Sequence, residues 1–154
     1  MMAMENTLGT AGGGRQTASL EEHCHLGQGR VLIVEDDEYI AELLGYWFRR
    51  AGFTTRVAVD GLAACSMVEQ ERPDTILLDL MLPGLDGREV CRLIRHHRDP
   101  HIAATPIIML SALSSPEDKA NGLLLGADLY LAKPYSVRDV LHAARSLLGR
   151  RSLG

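Results

Sequence analysis

Five short apolar runs recur along this chain, spaced so that one helix fits between each consecutive pair. They are Val31-Leu32-Ile33-Val34, residues 54–59, residues 75–79, Ile107-Ile108-Met109-Leu110 and residues 129–132. Runs this short, rich in β-branched residues and without strict alternation, read as strands covered on both faces. The intervening stretches have helical spacing. Ile40, Leu43, Leu44 and Trp47 sit at i, i+3, i+4 and i+7, and Gly52 closes the pattern. Asp60-Gly61 opens a helix with Leu62, Cys65 and Val68 on its apolar side. Asp86 caps one that carries Val90 and Ile94 to about His97. Ser115-Pro116-Glu117-Asp118 and Ser136-Val137-Arg138-Asp139 are cap patterns for two more, ending near Gly126 and Gly149. This alternation dictates an α/β fold, with helices on both faces of a parallel sheet joined by right-handed crossovers.

At 154 residues there is room for one such domain, expected over residues 30–149. Residues 1–29, with Gly12-Gly13-Gly14 and little periodic apolar content, read as a disordered tail, and residues 150–154 as a short frayed one. His23-Cys24-His25 resembles a fragment of a metal site but lacks the further ligands that close a shell. Trp47 is expected in the core, Cys65 and Cys91 as small hydrophobes, and His96, His97 and His101 in solvent. The basic cluster from Arg92 to Arg98 fits the cations favoured at a helix C-terminus. A net charge of −4 argues against nucleic-acid binding through bulk positive charge. Three cysteines without metal-type spacing fit a reduced, cytoplasmic setting, and no apolar run is long enough for a membrane span.

In a parallel sheet the carboxyl ends of all strands share one edge, where ligands bind. Glu35-Asp36-Asp37-Glu38 follows the first run, Asp79 ends the third, Ser111 ends the fourth and Lys133 follows the fifth. Each alone admits a modest role as a turn-former, helix-start acid or solvated side chain. Together they do not. Two carboxylates about 4 Å apart repel by roughly 4 kcal/mol at an effective dielectric near 20, so a cluster of them shifts its pKa or binds a cation. Hard oxygen ligands without nearby His or Cys favour Mg²⁺, with Mn²⁺ the alternative. A cation beside a lysine and a hydroxyl can clamp a phosphoryl group, and the nucleophile most naturally placed is a carboxylate.

Four segments carry a resemblance. Val31-Leu32-Ile33-Val34-Glu35-Asp36-Asp37, the stretch from Leu77-Leu78-Asp79 through Pro83-Gly84-Leu85-Asp86-Gly87, Ile108-Met109-Leu110-Ser111-Ala112, and Gly126-Ala127-Asp128-Leu129-Tyr130-Leu131-Ala132-Lys133-Pro134-Tyr135 resemble the receiver domain of two-component response regulators, of the stand-alone type. The resemblance implies a flavodoxin-like (βα)5 sheet with strand order 2-1-3-4-5. It implies Asp79 as phospho-acceptor, and Glu35, Asp36, Asp79 and the Met81 backbone carbonyl as Mg²⁺ ligands. Ser111 and Lys133 would bind the phosphoryl oxygens, Tyr130 would turn inward on phosphorylation, and the Lys133–Pro134 bond would be cis.

On this reading Asp79 takes a phosphoryl group from a phosphohistidine on a histidine kinase or phosphotransfer protein. The face formed by the fourth helix, fifth strand and fifth helix then changes shape for an effector. Lys119, Leu124, Leu125, Leu129 and Asp139 are expected on that face. Lys119 and Asp139 match one salt-bridge pair of dimerising receivers, whereas Leu129 and Ala143 replace the other, so a phosphorylation-dependent homodimer stays open. No helix-turn-helix follows Gly149, so no direct DNA binding is expected, and without an apolar run of membrane length no membrane partner is expected either. Two alternatives remain. A phosphatase of the haloacid-dehalogenase type usually needs a second acid two residues after its nucleophile, where this chain has Met81. A phosphorylation-independent docking module would not need the complete residue set.

Overall fold

A computed structural model describes residues 28–153. The elements are β1 (Arg30–Val34), α1 (Glu38–Arg50), β2 (Thr54–Ala58), α2 (Gly61–Glu71), β3 (Thr75–Asp79), α3 (Gly87–Arg95), β4 (Ile107–Ser111), α4 (Pro116–Leu124), β5 (Leu129–Ala132) and α5 (Val137–Leu153), with a single helical turn at Pro100–Ala103 between α3 and β4. The strands form one parallel sheet in the order β2-β1-β3-β4-β5, the flavodoxin-like order. His23-Cys24-His25 and almost all of the expected tail lie outside the described residues. Gly29 already belongs to the sheet margin: its carbonyl accepts the Thr54 N–H at 2.9 Å, and its φ of +105° suits glycine.

The pleat of the strands divides the core in two. Leu32, Val34, Ile76, Leu78, Ile107 and Met109 face one layer with Val68, Val90 and Ile94 from α2 and α3. Val31, Ile33, Leu77, Ile108 and Leu110 face the other with Leu44 and Phe48 of α1 and Val140, Ala144 and Leu147 of α5. All five residues of β3 are buried. Each such Leu or Ile contributes about 1.5–3 kcal/mol on leaving water, so β3 fixes the position of the acid at its end.

Four expectations need correction. The buried stripe of α1 is Ala41, Leu44, Gly45 and Phe48, leaving Leu43 at 41% and Trp47 at 42% exposure. Both stripes have helical spacing and share Leu44. The small residues Ala41 and Gly45 let the helix approach the sheet, and Phe48 meets Phe53 with ring centroids 5.1 Å apart, so the helix turns Phe48 inward and Trp47 outward. On α2 the buried residues are Gly61, Ala64 and Val68, while Leu62 is 73% exposed. α3 stops at Arg95, capped by His96. Gly149 does not end α5, which continues to Leu153; glycine inside a helix costs roughly 1 kcal/mol relative to alanine, too little to terminate one by itself.

Candidate functional site

The loop after β3 begins at Asp79, which is 4% exposed. Its Oδ1 accepts the Met81 N–H at 3.0 Å and its Oδ2 accepts from Lys133 Nζ at 3.2 Å. Lys133 reaches it from the end of β5, where the Lys133 N–H donates to the Ser111 carbonyl at 2.7 Å and the Lys133–Pro134 bond is cis. Gly87 opens α3 directly beneath the loop. A Cβ there would lie 2.5 Å from the Asp79 carbonyl oxygen, so no larger residue fits without moving the acid.

Glu35 stands at the end of the adjacent β1, 2% exposed. Its Oε2 accepts the Asp37 N–H at 3.1 Å; its Oε1 is buried without a hydrogen-bond partner, and Lys133 Nζ lies 3.9 Å from it. Burial pushes the Glu35 carboxyl up to about 7, the Asp37 amide opposes this, and the Asp79 carboxylate adds to it. Asp36 is exposed, and Glu35, Asp36 and Asp79 each bring an oxygen within 4.8 Å of the others. An acid-only cluster with a buried, unpartnered oxygen fits a hard divalent cation such as Mg²⁺. Asp37 is occupied otherwise, capping α1 through the Tyr39 and Ile40 amides. The Tyr135 hydroxyl is pushed up to about 12, first by burial and then by Glu35 and Asp79.

Ser111 is fully buried, and its Oγ accepts the Leu113 N–H at 3.1 Å. The Leu113 carbonyl accepts from the Tyr130 hydroxyl at 2.7 Å. Both backbone groups of Leu113 therefore connect the strand-end hydroxyl to the aromatic ring. No sequence signal marks that link, because it runs through main-chain atoms that any residue supplies. Tyr130 already stands inward, 8% exposed.

The residues expected on the output face divide. Lys119 and Asp139 are exposed and Leu124 is 83% exposed, whereas Leu125 and Leu129 are half-buried against the two core layers and Ala143 is buried. Leu123, 48% exposed, adds apolar surface beyond the expected set.

His97 is not simply solvated: its Nε2 meets Glu69 at 2.8 Å and its Nδ1 accepts the Asp99 N–H at 3.0 Å, which makes Nε2 the protonated nitrogen. Arg95 does more than balance a helix end. Its guanidinium donates to the carbonyls of Gly126, Ala103 and Thr105 and to Asp128.

A family model described as the response regulator receiver domain matches residues 31–145. Similar curated proteins include the DNA-binding dual master transcriptional regulator RpaA of Synechocystis, 43% identical over 121 residues, covering 79% of this chain and 49% of that protein. The sensory transduction protein RegX3 of Mycobacterium tuberculosis is 43% identical over 120 residues, 78% of this chain and 51% of that protein. The chain spans about half the length of these relatives. Among solved structures, the Francisella response regulator 1452 receiver domain superposes with a TM-score of 0.74 at 36% identity, covering 80% of this chain and 98% of that one. The chemotaxis response regulator CheY4 of Vibrio cholerae gives 0.71 at 29% identity, covering 77% and 98%. A matching family model, relatives of this similarity, and the edge occupied by Asp79, Glu35, Ser111 and Lys133 agree: the chain belongs to the response regulator receiver domain family of two-component signalling.

Proposed function

We propose that Asp79 accepts a phosphoryl group from a phosphohistidine of a histidine kinase or phosphotransfer protein. The observation that carries this is Lys133 Nζ at 3.2 Å from Asp79 Oδ2, a cation already placed where a transferred group would gather negative charge. An Asp79 oxygen attacks phosphorus in line, the P–N bond breaks, and its electron pair returns to the imidazole. Lys133 passes from the carboxylate to a phosphoryl oxygen. Ser111 Oγ accepts from Leu113, which leaves its own hydrogen for a second phosphoryl oxygen. Glu35, Asp36, Asp79 and the Met81 carbonyl would hold Mg²⁺, or Mn²⁺, whose bound charge neutralises the phosphoryl oxygens.

Conversion to an acyl phosphate replaces the single negative charge of the Asp79 carboxylate by up to two. A Ser111 drawn toward it pulls on the Leu113 amide, and the Leu113 carbonyl carries that pull to Tyr130. The face of α4, β5 and α5 is thereby biased for an effector or for a second copy, a shift between two arrangements. We place this in the cytoplasm, supported by the free thiols of Cys65 and Cys91; among the described residues no helix is long and apolar enough to cross a membrane. RpaA is named as DNA-binding, and the match covers half of it. The net charge of −4 over this sequence supports protein partners over DNA.

The test is transfer from a radiolabelled phosphohistidine donor, scored by acid-stable, base-labile label on the chain. Label is expected on the wild type and absent from Asp79→Ala. Equal labelling of the two removes the proposal.

A further inference from the structure

The groove between the outer sides of α1 and α5 has no part in the phosphoryl chemistry. It encloses about 580 Å³ and is lined by Trp47, Val137, Arg138, Leu141, His142 and Arg145. Three of these are apolar, two are arginines, one is a histidine, and none is an acid. Beneath it, Ala41 of α1 and Ala143 and Ala144 of α5 are buried in the same core layer.

The aromatic wall is ordered before anything binds. Trp47, 42% exposed, stands edge-on to Tyr46 with centroids 5.1 Å apart and planes at 85°. The Arg50 guanidinium lies over both rings, 5.8 and 5.9 Å from their centroids. An anchor of this kind loses little rotamer entropy on contact, and tryptophan is enriched where binding energy concentrates.

The charges are also arranged for a partner. Arg56, Arg72, Arg88, Arg92 and Arg95 each pair with a carboxylate of this chain. Arg138 and Arg145, like Arg49, Arg50 and Arg98, have no ion-pair partner among the described residues, and the two of them line this recess. Arg138 lies in the first turn of α5, where the helix dipole disfavours a cation. In a chain of net charge −4, this leaves a local positive rim around an apolar recess.

We propose that this groove docks an acidic amphipathic segment of a partner protein. A leucine or aromatic side chain fills the recess against Trp47 and Leu141, and flanking carboxylates engage Arg138 and Arg145 as charge-assisted, bidentate pairs. A second copy using the same face would set arginine against arginine. A nucleic acid would meet few cations here and a repulsive net charge beyond them. The groove shares α5 with the α4-β5-α5 face but takes its other wall from α1, and Asp79 is not among its lining residues, so its test is run on the unphosphorylated chain.

The experiment pans a random peptide library on the full chain, with counter-selection on an Arg138→Glu/Arg145→Glu variant. Both side chains are exposed, so the variant is expected to keep the wild-type circular dichroism and Tm. Enriched peptides are expected to carry two or more carboxylates around a leucine or aromatic residue. Trp47 is the chain's single tryptophan, so its emission reports the groove directly. A synthesised peptide should shift it saturably, with Kd at least tenfold weaker in the variant and weaker in higher salt. Enrichment that ignores the variant, or peptides without acids, overturns the proposal. So does a single-stranded oligonucleotide, or concentration-dependent self-association, that alters Trp47 emission as the peptide should.

Discussion

Gly122 decides where the Tyr130 ring can stand. A Cβ at this position of α4 would lie 2.6 Å from Tyr130 Cδ2 and 3.0 Å from Met109 Sδ, well inside van der Waals contact. Alanine must therefore push the ring outward or displace α4. We predict that Gly122→Ala breaks the hydrogen bond from Tyr130 to the Leu113 carbonyl, moves the ring toward solvent, and costs about 1–3 kcal/mol, as overpacking typically does. Fluorotyrosine NMR reports the ring and urea denaturation the stability; a Tyr130 resonance that stays buried at unchanged stability contradicts the assignment. Asp79, Ser111 and Lys133 were legible in the sequence because strand ends converge on one edge whatever lies between them. Gly122 was not, since its importance comes from the ring opposite, eight residues later in the chain. The buried isolation of Glu35 Oε1 was equally out of reach, being a property of neighbours rather than of composition.

Among the elements, the connection from α3 to β5 depends on one side chain. Arg95 Nε donates to the Gly126 carbonyl at 2.8 Å, Nη1 to Ala103 and Thr105 at 2.9 and 2.8 Å, and Nη2 to Asp128 at 2.9 Å. Asp128 Oδ2 also accepts the Ile107 N–H at 2.8 Å, so the guanidinium joins α3, the single turn, β4 and the start of β5. Arg95→Ala is expected to cost about 2–4 kcal/mol, because it strands several acceptors at once, and to lower Tm by roughly 5–15 °C. Arg95→Lys should recover less than half, since a point charge cannot reach four acceptors together. Thermal unfolding followed by circular dichroism checks both; a loss below about 0.5 kcal/mol would make the network ornamental. Element order was readable because each run and each cap is local. The inward face of α1 was not, as two stripes share Leu44 and only packing against Ile33 and Phe53 chooses between them. The turn at Pro100–Ala103 does carry a local signal: Asp99 before Pro100, an N-cap followed by proline at the first helical position.

For the molecule as a whole, the site is a source of instability that its ligand should relieve. Glu35, Asp36 and Asp79 crowd their oxygens within 4.8 Å, and only Lys133 offsets them among the described ion pairs. Glu35 is raised from its ordinary 4.5 to about 7, chiefly by burial. Because the folded value lies above the unfolded one, the folded chain holds a proton between these limits that the unfolded chain has released. Glu35's contribution is thus fully present below pH 4.5 and lost as pH rises through about 7. Metal-free wild type should accordingly lose stability relative to Glu35→Gln as pH is raised across that window. Asp79→Asn should be more stable than wild type at pH 7.5 by roughly 1–3 kcal/mol, less than the ~4 kcal/mol between two bare charges at 4 Å because Lys133 already compensates. With Glu35 among the proposed ligands, Mg²⁺ would have to displace its proton, so stabilisation by Mg²⁺ should be larger at pH 7.5 than at pH 5.5, and should shrink in both variants. Urea denaturation at these pH values, with and without Mg²⁺, distinguishes the cases. Equal Mg²⁺ stabilisation at both pH values would mean that Glu35 does not face the cation, and a destabilised Asp79→Asn would mean that the acid is held for the fold rather than for phosphoryl transfer.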